Sequence, residues 1–222
     1  SFQPWTGGGK HFSFFNQPAA AEANYQMFWT ALRPLLNNNT KALARLDQIR
    51  DGFTEIMAQE LEAMWAKKMG LNSYDPTLVN ELLQLMALSK VDYTIFFRKL
   101  SQIPEQVSAL KESFYFPSSE KIDAQWNSWL QRWGNNVKSS NDLKVTSAKM
   151  NQTNPKYTWR EWLVAPAYKN AEQGDYSLIK ELQDVFSNPY NEQSSEVDEK
   201  YNRLKPKEFF NAGGVSHYSC SS

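Results

Sequence analysis

The amino-acid sequence predicts an all-α fold. Every stretch in which apolar residues recur regularly has the helical period of about 3.6 residues. Proline, glycine, asparagine and aspartate stand where these stretches begin and end, as they do at helix termini. No stretch alternates apolar and polar residues over the length of a strand, and no period of roughly 20 to 50 residues repeats. We therefore expect a non-repetitive helical protein.

Composition argues against several functional classes. The 222 residues include 24 Lys plus Arg and 24 Asp plus Glu, so neither nucleic acid nor an anionic membrane is expected as a partner. No window approaches the ~18 apolar residues of a membrane span, and no signal peptide is visible, so a non-secreted chain is expected. One cysteine, Cys220, allows no internal disulfide, and His11 and His217 have no metal-ligand spacing. Because the chain opens on Ser1 without Met, we expect it to be cut from a longer protein.

Residues 1–18 are predicted to form a loop. Gly7–Gly9 followed by Lys10 suggests a phosphate-binding loop at first sight. That motif needs glycine where Pro4 stands and serine or threonine where His11 stands. A flexible loop is therefore the favoured interpretation.

Two helices are predicted between Pro18 and Lys68. Pro18 suits the first turn of a helix whose apolar residues are Phe28, Leu32, Leu35 and Leu36. Asn37 to Asn39 break the pattern, and Thr40 is predicted to cap a long helix that Gly70 terminates. The apolar stripe of the long helix, expected to face a core, consists of Leu46, Ile49, Phe53, Ile56, Met57, Leu61 and Met64.

A further helix is predicted after Asp75 and Pro76, which form a cap followed by a favourable first position. Its buried face is Leu78, Leu82, Leu83 and Leu85. The stretch VDYTIFFRKL follows at residues 91–100. Asp92 and Arg98 could form a site, but a helix cap at Asp92 and a structural ion pair at Arg98 are the favoured interpretation.

A tryptophan-rich helix is predicted after a connector that contains a short helix between Pro104 and Pro117. Its stripe is Ile122, Trp126, Trp129, Leu130 and Trp133, and Gly134 is predicted to end it. Such a stripe could stack against a ligand. Core packing is favoured, because tryptophans three and seven residues apart share one face and bury a large area.

Residues 154–193 are predicted to form two helices and two turns. Asn154 and Pro155 set a turn, and Thr158 is predicted to cap a helix that runs toward Glu172. Gly174 and Asp175 form the corner before the second helix. The apolar face of that helix is Leu178, Ile179, Leu182, Val185 and Phe186, and a second Asn-Pro pair ends it.

Several short blocks follow one another along this sequence in a fixed order. They are Phe12, Ser13, Phe14, Asn16, Gln17 and Pro18; then Asp92, Tyr93, Thr94, Phe96, Phe97, Arg98 and Leu100; then Asn154-Pro155-Lys156-Tyr157, Gly174-Asp175, Asn188-Pro189-Tyr190 and Glu192-Gln193. The final Ser219-Cys220-Ser221-Ser222 completes the series. Together these blocks resemble the selenoprotein O family of kinase-like protein adenylyltransferases, and their shared order makes the resemblance specific.

The resemblance implies transfer of AMP from ATP to Ser, Thr or Tyr hydroxyls of protein substrates. It also implies ATP and Mg²⁺ as cofactors, held by an upstream kinase-like core, and a cytoplasmic location in bacteria or a mitochondrial one in eukaryotes. Phosphoryl-type chemistry needs a phosphate-covering loop, a lysine clamp and metal ligands. None of these parts is recognisable here. We therefore assign no catalytic, cofactor-binding or metal residue to this chain, and expect it to bind no cofactor.

The resemblance further implies a division of the chain. Residues 1–18 would form the loop that follows the activation segment, 19–193 the helical C-terminal region, and 194–222 an irregular tail. Cys220 matches the position where some members carry selenocysteine, so we expect a redox thiol whose disulfide partner lies in the catalytic portion. Arg160 is expected to be structural, satisfying carbonyls or pairing with a carboxylate of the core. A helical protein-interaction module without enzymatic activity is the alternative interpretation.

Overall fold

A computed structural model describes residues 16–139 and 142–210. Within these ranges the α-helices are α1 (Gln17–Leu32), α2 (Thr40–Asp51), α3 (Phe53–Lys68), α4 (Pro76–Ser89), α5 (Tyr93–Leu100), α6 (Glu120–Lys138), α7 (Leu143–Thr153), α8 (Glu161–Glu172), α9 (Ser177–Ser187) and α10 (Ser195–Tyr201). Three 3₁₀ helices span Arg33–Leu36, Val107–Ser113 and Lys207–Phe209. The described ranges contain no strand, only an isolated bridge between Val91 and Phe114, which confirms the all-α prediction.

The chain divides into two compact units. Among the described residues, the first comprises 16–62, and the second comprises 63–139 and 142–210. The division falls within α3. It therefore lies inside the stretch 19–193 that the sequence analysis treats as one helical region.

The described part of the first unit is a helical hairpin of residues 16–62, in which α1 packs against the α2–α3 run. Helical hydrogen bonding continues through Gly52, whose N–H donates to the Gln48 carbonyl at 3.2 Å and whose carbonyl accepts from Ile56 at 3.1 Å. The cap of α2 is Asn39, not Thr40. Its Oδ1 accepts the Ala42 N–H at 3.0 Å, because asparagine caps a helix as well as threonine does and stands one residue earlier.

The apolar stripe predicted for this hairpin does not face a core. No residue of α1 or α2 is buried. Phe28 and Leu35 on the first helix pair are 59% and 78% exposed, and Ile49 and Ile56 on the long run are 45% and 59% exposed. Phe53 of the same stripe stacks on α1, so the neighbouring helix covers part of this face and leaves Ile49 and Ile56 outside. The prediction fails at these two residues because periodicity shows which residues share a face, but not how much of that face a neighbour covers.

The second unit has a tryptophan-rich core built around α4, α5 and α6. Trp126, Trp129 and Trp133 are fully buried. Their indole N–H groups donate to the Ser89 hydroxyl at 2.9 Å and to the carbonyls of Leu78 at 2.9 Å and Met69 at 2.8 Å, in that order. A buried indole needs such a partner, because an unsatisfied donor costs about 1–3 kcal/mol. Core packing of the tryptophan stripe is confirmed.

Gly70 and Gly134 were both predicted to end helices, and the structure confirms only the first of them. Gly70 follows α3 in the left-handed region at φ 66°, as predicted. Gly134 does not end α6, which continues to Lys138. The helix goes on because Val137, one turn beyond, is fully buried and extends the apolar stripe. The Asp75 cap of α4 is confirmed by a 3.0 Å bond from the Leu78 N–H.

A second apolar cluster holds the elements after residue 154. Its buried members are Tyr157, Trp162, Leu163, Ala167, Leu182, Val185 and Tyr201. The corner between α8 and α9 is as predicted, with Gly174 at φ 83° and Asp175 accepting the Ser177 N–H at 2.9 Å. Helix α8 begins at Glu161 instead of at Thr158, whose hydroxyl lies 3.3 Å from that of Thr94.

The tail is not irregular throughout. Ser194 caps α10 by accepting the Val197 N–H at 3.4 Å. Val197 and Tyr201, four residues apart, both pack on the second cluster. The sequence shows too short an apolar pattern for this helix to be recognised, because its seven residues span only two turns.

Candidate functional site

Three of the blocks that carry the family resemblance, at 92–100, 154–157 and 188–193, contribute to a set of charged and polar side chains in the second unit that we name the polar junction. Its members are Lys68, Asp92, Arg98, Asn154, Lys156, Tyr157, Arg160, Glu192 and Asp198. They come from α3, α5, α10 and the loops around α8 and α9. The junction thus ties together segments that lie far apart in the sequence.

Asn154, fully buried at the end of α7, is bonded through its whole side-chain amide. Its Nδ2 donates to the Lys68 carbonyl at 2.9 Å and to the Ser101 hydroxyl at 3.2 Å. Its Oδ1 accepts from Lys68 Nζ at 2.8 Å. An amide with both donors and its acceptor paired fixes the Asn-Pro turn against α3 and α5.

Lys68 is a buried cation that contacts neutral groups and no carboxylate among the described residues. Besides Asn154, its ammonium group contacts aromatic faces, 4.3 Å from the Phe97 ring centroid and 5.1 Å from that of Tyr93. Burial lowers the pKa of Lys68 to about 8. The cation–π contacts and one neutral acceptor therefore compensate its desolvation only in part.

Glu192 joins two cations from different elements. Arg98 Nη2 donates to its Oε1 at 2.5 Å, and Lys156 Nζ donates to its Oε2 at 2.5 Å. The bonds from Lys156 and Arg98 lower the pKa of Glu192. Arg98 Nη1 also donates to the carbonyls of Asn151 at 2.9 Å and Asn154 at 3.2 Å, so its guanidinium spans the α7 terminus and the loop after α9.

Lys156 also reaches α10. Its Nζ donates to Asp198 Oδ2 at 2.5 Å, and the Tyr157 hydroxyl donates to Asp198 Oδ1. Burial, followed by the bond to Asp198, raises the pKa of Tyr157. The backbone N–H groups of Lys156 and Tyr157 both donate to the Pro189 carbonyl, at 2.7 and 3.2 Å. The two Asn-Pro turns are thereby fastened to each other.

Asp92 and Arg160 form the most enclosed ion pair of the junction. The guanidinium binds the carboxylate through two bonds, Nη1 to Oδ2 at 2.5 Å and Nη2 to Oδ1 at 2.9 Å. The side chains are only 7% and 11% exposed. Asp92 also accepts the Ile95 N–H at 3.0 Å, as the predicted cap of α5, and the Tyr115 hydroxyl at 3.0 Å. Burial and the Asp92 charge raise the pKa of Tyr115.

The same pair receives the end of the described chain. Arg160 Nη1 donates to the Arg203 carbonyl at 3.4 Å, and the Lys205 N–H donates to the Tyr115 hydroxyl at 3.4 Å. Arg203 lies over Trp162, 5.2 Å from its ring centroid. Phe210 meets Tyr115 edge to face with 5.7 Å between ring centroids. The segment after α10 is therefore held by α8 and by the loop before α6.

The junction can hold segments in place, but its charged groups are already occupied. Each of its guanidinium groups contacts a carboxylate and at least one carbonyl, and Lys156 contacts two carboxylates. Among residues 16–139 and 142–210, no three His, Cys, Asp or Glu side chains come together as a metal site. A phosphate or metal ion at Arg98, Lys156 or Arg160 would have to displace an existing ion pair.

A separate cleft of about 550 Å³ lies beside α7. It is lined by Gln102, Ile103, Glu105, Lys138, Leu143, Lys144, Ser147, Ala148 and Asn151. Lys138 and Glu105 form an ion pair at 2.6 Å across one end. Its wall includes Ile103 in the left-handed region at φ 53°, which is uncommon for a β-branched residue.

The structure brings together three of the residues singled out from sequence. Asp92 and Arg98 have the predicted structural roles, and Arg160 pairs with Asp92 of this same chain instead of with a carboxylate elsewhere. Lys68, Tyr115 and Asp198 were missed, because a lysine at a helix end and an isolated tyrosine or aspartate carry no motif. Cys220, His11, His217 and the Gly7–Gly9 run with Lys10 lie outside the described residues.

Comparison with known proteins agrees with the motifs. The family model for protein adenylyltransferase SelO matches residues 5–187. A protein nucleotidyltransferase YdiU from Aromatoleum aromaticum is 33% identical, over 100% of this chain and 44% of its own length. Proteins of the same name from Tolumonas auensis and Flavobacterium johnsoniae are 34% and 31% identical to this chain. Each alignment covers 96% of this chain and 42% of the relative. None of the described helices has the length and apolar character that a membrane span requires.

These relatives are more than twice as long as the part that this chain matches, since the chain spans 42 to 44% of their length. The match nevertheless covers nearly the whole chain, and the family model covers most of it. The chain therefore belongs to the SelO family of protein adenylyltransferases.

Proposed function

We propose that this chain is the helical C-terminal part of a protein adenylyltransferase. The full-length protein would transfer AMP from ATP to a Ser, Thr or Tyr hydroxyl of a protein substrate. The hydroxyl oxygen attacks the α-phosphorus and gives up its proton to a base or to solvent, the bond to the β-phosphate oxygen breaks, and pyrophosphate leaves. The observation that carries the proposal is the family match over residues 5–187, supported by relatives whose name is protein nucleotidyltransferase.

Nucleotide and Mg²⁺ would be held by a kinase-like core outside these 222 residues. The residues described here do not fit Mg²⁺, because Asp92, Glu192 and Asp198 already bind cations and no metal-ligand cluster forms in the described ranges. The 42 to 44% of the relatives' length that this chain spans leaves room for such a core. The proposed partners are this core and the protein substrates, and the proposed location is the cytoplasm in a bacterium or the mitochondrion in a eukaryote.

Within this enzyme the polar junction would act as a brace. It fixes both Asn-Pro turns and the segment after α10 to α5 through buried ion pairs. Buried, bidentate ion pairs of this kind specify one arrangement of segments and are costly to break from one side. The junction residues would therefore support the active conformation without touching the nucleotide.

The test is AMP transfer by the full-length protein with ATP labelled at the α- or the γ-phosphate. We expect the α-label, and not the γ-label, to appear on protein hydroxyls. Transfer of the γ-label would indicate a kinase instead. The 222-residue chain supplied alone should transfer neither label, and transfer by it would contradict the assignment of the active site to another part of the protein.

Cys220 would serve as a redox latch in the same enzyme. Its thiol and a thiol of the catalytic portion would form a disulfide, giving up two electrons and two protons to a disulfide oxidant such as oxidised glutathione. Non-reducing peptide mapping should find Cys220 cross-linked, and reductant should change AMP transfer by wild type but not by Cys220→Ser. Identical responses of both proteins, with no cross-link, would exclude the latch.

A further inference from the structure

Polar and aromatic side chains meet between the helices of the hairpin of residues 16–62. Asp47 accepts hydrogen bonds from Trp29 Nε1 at 3.1 Å and from Arg33 Nη1 at 2.6 Å. Arg33 and Arg50 lie against the Trp29 ring, 4.7 and 4.4 Å from its centroid. Tyr25 stacks on Phe53 with 4.5 Å between ring centroids. These contacts define the faces that α1 and the α2–α3 run turn toward each other.

Several large apolar residues of the hairpin are exposed on other faces. With about 100° per residue, Met27 points away from the Trp29 side of α1 and Phe28 lies about a quarter turn from Trp29. Their side chains are 67% and 59% exposed. Ile49 and Ile56, two turns apart, point away from the Asp47 side of the α2–α3 run, and they are 45% and 59% exposed. The hairpin thus presents apolar side chains on two opposite outer faces.

Gly52 gives an independent indication on one of these faces. It lies between Ile49 and Ile56 with φ −80° and ψ −8°, a conformation open to any residue. An added Cβ would meet only ordinary contacts, 3.6 Å from the Gln48 carbonyl oxygen and 3.9 Å from Ile56 Cδ1. Nothing among the described residues requires glycine here, although glycine weakens a helix. Close approach of another backbone is an arrangement that favours glycine.

We propose that the hairpin is inserted into the catalytic portion of the full-length enzyme. Apolar polypeptide from outside these 222 residues would pack on both outer faces, and its backbone would approach most closely at Gly52. This inference rests on the proposed function, which places a core outside the chain. The relatives supply the necessary length, since this chain spans 44% of the first of them.

A second copy of the chain fits the two faces less well. A two-fold dimer uses one self-complementary patch on each copy, and it would leave the opposite apolar face in water. Copies bound to both faces would form an open assembly instead of a closed one. Polypeptide of the same enzyme can cover both faces at once.

Site-specific cross-linking of the full-length protein identifies the occupant. A photoreactive residue is placed at Phe28 or at Ile56, with exposed Lys41 in the first turn of α2 as the control position. We expect intramolecular cross-links from both test positions to peptides outside the 222 residues, in at least fivefold excess over Lys41. A product of twice the mass, links confined to residues 1–15 or to the rest of this chain, or yields equal to the control would overturn the proposal.

A matched pair of glycine substitutions tests the close approach. Gly134 lies inside α6 with no atom within 4 Å of an added Cβ, so Gly134→Ala should raise Tm slightly, by about 2 °C or less. Gly52→Ala in the full-length protein should instead lower Tm, because the methyl group meets the packed backbone. A rise in Tm for both variants would overturn the close approach at Gly52.

The AMP-transfer assay separates this inference from the proposed function. Active enzyme whose Phe28 and Ile56 positions cross-link no differently from Lys41 would contradict the insertion alone. Cross-links to polypeptide outside the chain in a protein that transfers no AMP would contradict the proposed activity and leave the insertion supported.

Discussion

The two compact units place their polar side chains in opposite ways. In the second unit the tryptophan core is fully buried, and its polar groups meet in the polar junction, where Asp92 and Arg160 are 7% and 11% exposed. In the hairpin the corresponding ion pair, Arg33 with Asp47, is 39% and 37% exposed, and no residue of α1 or α2 is buried. Two similar ion pairs can therefore differ greatly in the stability that is lost when one partner is removed, because that loss depends on how deeply the pair is buried.

The largest effect is expected from Arg160→Ala. The substitution leaves Asp92 buried with its helix-cap and Tyr115 bonds but without a counter-charge, which costs about 3–5 kcal/mol. Urea unfolding should show this loss, while the AMP-transfer rate per folded molecule should fall much less. A large fall in rate with unchanged stability would make Arg160 a site residue and would contradict the brace.

A double-mutant cycle sharpens this result. Asp92→Asn combined with Arg160→Met removes both charges, so the double variant should be more stable than the sum of the two single losses predicts. Additive losses would show that Asp92 and Arg160 do not interact in solution.

The second effect is the change of folding stability with pH that Lys68 causes. Its pKa is about 8 in the folded protein and near 10.5 when exposed, so the unfolded chain holds its proton more tightly. The burial cost is therefore present in full below pH 8 and disappears as pH rises toward 10.5. Relative to Lys68→Met, wild type should gain stability across this window, by on the order of 1 kcal/mol per pH unit.

The control for Lys68 is the solvated Lys67 on the same helix turn. Lys67→Met retains the buried Lys68, so its stability should still rise between pH 8 and pH 10.5 as that of wild type does. If the stability curve of Lys68→Met is also parallel to that of wild type, water reaches the ammonium group in solution. The region around Asn154 is then less closely packed than in this structure.

The third effect compares two glycines that both have positive φ. At Gly70, with φ 66°, an added Cβ would lie 2.6 Å from Met150 Sδ and 2.8 Å from Thr146 Cγ2, whereas at Gly174, with φ 83°, it would meet no atom within 4 Å. Gly70→Ala should cost about 2–3 kcal/mol, from backbone strain and overpacking together. Gly174→Ala should cost about 1 kcal/mol from strain alone. Equal losses in thermal unfolding would show that the α7 side chains move aside.

Local chemistry made much of the second unit predictable. Asp75 and Asp92 cap helices, Gly70 and Gly174 end them, and the Trp126 stripe is core, because each of these outcomes depends on neighbours within a few residues. The polar junction was predictable only in part. Asn154 and Arg98 stood in recognised motifs, but their partners Lys68 and Glu192 come from positions 86 and 94 residues away along the chain.

Other predictions failed where tertiary contacts decided the outcome. Thr158 did not cap α8, because its hydroxyl meets Thr94 and the preceding residues are fastened to Pro189. Helix α6 continues through Gly134 because the side chain of Val137, one turn later, packs in the core. The stripe at Ile49 and Ile56 is a true helical face, but periodicity alone does not tell what covers it.

The smallest effect is expected at the hairpin ion pair, and it bears directly on the comparison. Arg33 donates to Asp47 at 2.6 Å, but both side chains are more than a third exposed, so solvent screens the interaction. Arg33→Ala should cost only about 0.2–1 kcal/mol in urea unfolding, and added salt should reduce that cost further. Arg160→Ala, measured alongside, should be insensitive to the same salt because its pair is buried. A loss for Arg33→Ala as large and as salt-insensitive as that of Arg160→Ala would mean that the hairpin pair is enclosed in the full-length enzyme. The contrast between the two units would then belong to this chain alone and would disappear once the catalytic portion packs on the outer faces.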